Sequence, residues 1–312
     1  MTAPIHLAEV DPVDYNRQRE RTVDNLKRLF ALVFSLSFAL AGAHLFALTK
    51  PFLLGDASFE LHGGSFLITL EMFGVFAITA AVFYHQGAKF LDNKYAWPGD
   101  LSPHPYELAW DFFSLVLQMV PFVFLASALA PDVISRYGFT WFFFAYIVTF
   151  YGGLILLLAG KMRDSVKRLW KQPTEREKEA DKVRNYWLLM NSTSLLVMGL
   201  LFSWRIHVGD KCPANFVDSD YSFLAFFGVL ALMRDFFDYS WVWPFVYPVK
   251  REERATHLKW PLTRMLQAES TYHGMDRWFV LGLVVFGVSI LVAYGNQWFE
   301  LSHWVSVCRT SG

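Results

Sequence analysis

Two cysteines in 312 residues, Cys212 and Cys308, are too few for a disulfide scaffold and have no metal-site spacing. Charge is also sparse. Asp, Glu, Lys and Arg make up 18% of the chain, against roughly 25% in an ordinary soluble domain. The 28 basic and 28 acidic residues cancel, and the pI is about 7.1. With no basic domain or stripe, nucleic acid is excluded as a partner. Glycine-rich phosphate cradles (GxGxxG, GxxxxGK[ST]) and the GxSxG nucleophile turn are absent. No two histidines share an HxxxH or HExxH spacing, and His44 alone lies inside an apolar block, so no metal site is expected. No motif implies a cofactor. The last apolar block has no lysine for a retinal Schiff base. Polar residues fill the first 25 positions, so no cleavable signal peptide is expected and the protein is not secreted.

What is abundant is apolar and aromatic: 54% of residues are hydrophobic, with 31 Phe, 12 Trp and 13 Tyr. Mean hydropathy is +0.28. These residues fall in blocks of the length that crosses about 30 Å of hydrocarbon as a helix. The expected fold is all-α: a polytopic integral membrane bundle of seven transmembrane helices, at about 27–48, 65–84, 106–130, 139–159, 186–204, 221–246 and 278–298. A polar arm (1–26) precedes this membrane domain (27–304), and a tail (305–312) follows it. The connection 86–105 reads as turn-rich, 131–137 as a short loop, and 161–184 and 250–277 as charged connections, the former as a solvated helix.

Lys and Arg concentrate in the arm and in the connections after the second, fourth and sixth spans. That bias predicts a cytoplasmic N-terminus and a C-terminus on the opposite side. Cys212 and Cys308 then share the non-cytoplasmic side, where a disulfide between them is one expectation and two free thiols the other. The membrane is a bacterial inner or plasma membrane or a eukaryotic one. Trp and Tyr near the span ends, Trp187 among them, read as the interfacial belt.

The sixth block carries Arg234, Asp235 and Asp238 near its middle. Each such charge costs roughly 2.5–3.5 kcal/mol on insertion scales, so partners must come from within the bundle. Helical rise gives the depths. Arg234 and Gln118 lie at roughly 18 Å from the cytoplasmic edge, Glu71 at roughly 20 Å and Asp238 at roughly 12 Å. Asn191, Ser192, Thr193 and Ser194 share the layer of Asp238. Arg234 and Asp238 are i,i+4 and share a face; Asp235 points about 100° away. The expected cluster is therefore Glu71, Gln118, Asn191, Arg234, Asp235 and Asp238. Glu71 is expected to pair with Arg234, and Asp235 to lack a cation. Asp111 is expected to cap the third span. Pro121 should bend that span or leave a carbonyl free for a polar partner, and Gly152-Gly153 should permit a close helix approach.

Three functions fit this pattern: a transporter or channel for an ion, proton or small solute; a non-catalytic subunit or anchor of a larger membrane complex; and a membrane enzyme acting on a lipid or quinone. No catalytic spacing is present, so the enzyme ranks last. The expected partners are the lipid bilayer and other membrane subunits or copies of the chain.

Overall fold

The structure, a computed structural model, describes residues 12–54, 63–95, 105–137, 139–169, 172, 175–208, 221–246 and 272–295. Every element among them is helical: α1 (Pro12–Leu53), α2 (Gly63–Tyr95), α3 (Pro105–Ser127), α4 (Pro131–Tyr137), α5 (Thr140–Arg168), α6 (Glu175–Val208), α7 (Tyr221–Val246) and α8 (Tyr272–Gly295). Three of these begin on proline, whose missing N–H is unused at a helix start. Long apolar runs leave a chain no choice but helix where water is absent, because each backbone group must bond within its own segment.

Five helical stretches are long and apolar enough to cross a membrane: Glu20–Pro51, Phe66–Ala88, Ala109–Ser127, Trp141–Arg168 and Arg184–Phe202. α7 and a shorter apolar stretch, Phe279–Ala293, are not among the five. The outward surface is apolar, with Leu32, Phe46, Leu67, Ile155, Phe236 and Leu291 all more than half exposed. An apolar exterior around buried charge is the arrangement a multi-pass membrane protein requires.

Six helices close a ring in the order α1, α2, α7, α6, α5, α3 and back to α1. α8 lies outside it, packed chiefly on α6 and touching α5 through Phe286 and Tyr151. α2 and α7 run parallel, since Glu71 meets Gly228 and Thr79 meets Asp235. α6 runs antiparallel to α7 (Asn191 to Arg234, Trp187 to Asp238) and to α5 (Phe202 to Phe143, Asn185 to Lys161).

Several boundaries differ from the sequence reading. α1 is continuous from Pro12 and passes through Pro51. α2 runs on to Tyr95, into the stretch read as turns. The stretch 131–137 is the helix α4. The charged segment 161–184 is two helix ends: α5 carries Lys161 to Arg168, and α6 starts at Glu175. Apart from the separate helix α4, helix continues past the apolar boundary, because polar residues at helical spacing do not break a helix that is already nucleated. Residues 1–11 of the arm, 250–271 of the second connection, Cys212, Cys308 and the tail lie outside the described residues.

Candidate functional site

Arg234, Asp235 and Asp238 of α7 are 4%, 1% and 0% exposed. Near neighbours take four of the guanidinium's five N–H donors. Its Nη1 donates to Asp235 Oδ1 and its Nη2 to Asp238 Oδ2 at 2.6 Å. From α6, the Asn191 carbonyl accepts from both Nε (3.1 Å) and Nη2 (2.7 Å). The rings of Phe150 and Phe83 pack against the guanidinium, with centroids at 4.5 and 5.3 Å. Each carboxylate is then held from a second helix. Thr79 of α2 donates its hydroxyl to Asp235 Oδ2, and the Trp187 indole of α6 donates to Asp238 Oδ1 at 3.0 Å.

One wall of this cluster is open. A cavity of about 130 Å³ is lined from α2, α3, α5, α6 and α7, with Arg234, Asp238, Asn191, Gln118 and Gln86 among its wall residues. That volume holds several waters or a small solute. Arg163, Arg184, Asp111 and Trp110 line it from the other end. Here Asp164 accepts from both Arg163 and Arg184, Arg163 also reaches Asp111 at 3.4 Å, and Arg168 bonds Asp181. The cavity therefore has a charged mouth and a charged floor, joined by a wall of Phe83, Phe90, Phe150, Leu156 and Leu157.

Past the floor the bundle is filled. Phe76, Phe122, Phe142, Phe143, Phe202 and Phe227 are fully buried. Phe143 meets Phe227, Phe202 and Phe223 at 4.9, 5.2 and 5.6 Å between centroids.

Of the six residues the sequence singled out, the structure brings five to the floor: Gln118, Asn191, Arg234, Asp235 and Asp238. Glu71 stands apart. Its carboxylate lies against Gly228, where a Cβ would collide with it, six residues or about 9 Å along α7 from Arg234. Asp235 has the cationic partner it was expected to lack, on its own helix. Ser192 is buried, while Thr193 and Ser194 donate back to Leu189 and Met190 carbonyls of the preceding turn. Asp111 does not cap α3, which begins six residues earlier at Pro105, but pairs with Arg163 of α5. Pro121 sits inside α3, its carbonyl accepting from Thr149 at 3.4 Å. Gly152 and Gly153 meet nothing within 4 Å of an added Cβ; Gly153 makes room in the cavity rather than a helix contact.

Sequence reasoning passed over Thr79, Gln86 and Trp187. Thr79 and Gln86 are seven residues apart and so share a face of α2, which was the available signal. Trp187 reads as interfacial by position but is a hydrogen-bond donor by placement.

Compared with known protein families, with curated proteins and with solved structures, the chain matches none.

Proposed function

We propose that the chain is a multi-pass membrane transporter that binds an ion, proton or small solute in this cavity, with the floor at Arg234, Asp235 and Asp238 as its polar centre. The observation that carries the reading is the pairing of a cavity open at one charged end with a dense aromatic fill beyond it. A bundle stabilised by a dry ion pair has no need of the space, and a permanently open channel has no place for the fill. Seven spans and a cytoplasmic N-terminus belong to this proposal. Their support is the alternation of the long helices, α1, α3, α6 and α8 running one way and α2, α5 and α7 the other. The Arg-rich cavity mouth then faces the cytoplasm, as the positive-inside bias requires.

The test is uptake into proteoliposomes, read by a trapped pH-sensitive dye and by solute accumulation, for the wild type and for Asp238→Asn and Asp235→Asn. Wild-type uptake that both variants abolish, with unchanged elution from a sizing column, is the expected result. Equal uptake in all three removes the reading. A non-catalytic subunit is the alternative, favoured by the near-complete saturation of Arg234 within the chain. Stable co-purification with other membrane chains, together with tolerance of Asp235→Asn, would select it.

A further inference from the structure

We infer that the cavity takes a small organic cation: an ammonium group on a short apolar body that also carries a hydrogen-bond acceptor, with the charge held at Asp238. This deepens the solute-site reading of the same cavity and rests on it. The first argument is charge. At the floor one guanidinium, Arg234, faces two carboxylates, Asp235 and Asp238, so with both carboxylates ionised the cluster stands at minus one. A buried charge without a partner is strongly unfavourable, and a bound cation supplies the partner.

The second argument is hydrogen-bonding capacity. Arg234 has five N–H donors and already makes four donations, to Asn191 twice, Asp235 and Asp238. Little of it remains for an anion. Asp238 has about four lone-pair sites, of which Trp187, Arg234 and Gln86 take up to three. Asp238 is also the one of the two carboxylates that lines the cavity.

A third observation comes from the cavity wall. Gln86, 7% exposed there, leans its amide on Asp238, and among the described residues its nitrogen has no acceptor besides that carboxylate. The Ser114 hydroxyl, also in the cavity wall, has no partner among the described residues. Buried polar groups are rarely left so. A hydroxyl or ether next to the ammonium satisfies them, and the Phe90 and Leu157 wall suits the apolar body.

The experiment is calorimetric titration of the full chain in detergent, with empty micelles as blank, using three matched probes. These are 2-amino-1-phenylethanol (a cation), 1-phenyl-1,2-ethanediol (neutral) and mandelate (an anion). Saturable binding of the amine, with the diol and mandelate at least tenfold weaker, is expected. Asp238→Asn should lose at least tenfold for the amine alone. If that variant does not fold, the ranking of the three probes on the wild type decides. Mandelate or the diol binding as tightly as the amine, or no saturable binding by any probe, overturns the inference. The two proposals fail separately. Amine binding without uptake overturns transport and leaves the cation site, while uptake of an anion leaves transport and overturns the cation site.

Discussion

The two halves of the bundle along its axis are built on different physics. The half holding the cavity is organised by charge. Arg234, Asp235 and Asp238 at its floor and Arg163, Arg184, Asp111 and Asp164 at its mouth each answer another charged group. The other half is organised by volume, with Phe76, Phe143, Phe202 and Phe227 filling it. Helices in a membrane gain little from hydrophobic burial, because lipid is as apolar as leucine. The aromatic half must therefore cohere through close packing and ring geometry, and the polar half through partners that hydrocarbon cannot offer.

That contrast can be broken from either side. The largest effects are expected from Arg234→Met and Phe143→Ala. Arg234→Met strands two buried carboxylates, a loss of about 3–5 kcal/mol. Phe143→Ala opens a void at a cost of about 3–5 kcal/mol. Thermal unfolding in detergent should show both as large drops in Tm, separable by pH. Acid supplies the protons that neutralise the stranded carboxylates, so Arg234→Met should recover as pH falls while Phe143→Ala should not. Identical pH responses would erase the distinction between the halves. Next comes Thr79→Val, which removes a hydrogen bond to a charged acceptor and should cost about 1.5–3 kcal/mol, with uptake lost more than stability.

Gly228→Ala should cost about 1–3 kcal/mol by overpacking against Glu71. The double variant Gly228→Ala/Glu71→Ala should recover most of that loss in the same melting assay. A purely additive double would show that the contact is not what limits the site. The smallest effect is expected at the mouth. Asp164→Asn removes the shared acceptor of Arg163 and Arg184, but these groups are partly exposed, so the cost is about 0–1 kcal/mol and should shrink further with added salt.

The halves also differ in how far the sequence discloses them. Depth is readable, because rise per residue is fixed. Depth alone puts Gln118 with Arg234 in one layer and Asn191 with Asp238 in the next, and all four line one cavity. Depth fails where the apolar boundary is not the helix end. Counting back from Tyr84 puts Glu71 level with Arg234, whereas α2 runs on to Tyr95 and Glu71 meets Gly228, about 9 Å along α7 from Arg234. Asp235 was thought to lack a cation because its 100° offset from Arg234 on the helix looked decisive, whereas a long guanidinium reaches the next residue without difficulty. Trp187 reads as a membrane-surface residue because position along the chain carries no sign of its bond to Asp238. The helices themselves were legible at their centres and not at their ends, where Lys161 to Arg168 and Glu175 onward extend helix beyond the apolar runs.

The pairing of α2 with α7 has a consequence for biosynthesis. Thr79 and Asp235 are 156 residues apart. At about 5–20 residues per second, roughly 8–30 s of synthesis separate them. α7 thus emerges with both counter-charges to Arg234 already on its own turns, at i+1 and i+4. The arginine can enter the bilayer as part of a self-screened unit, and because Thr79, Trp187 and Asn191 all precede it in the chain, the wait for a partner falls on those neutral groups rather than on the charges.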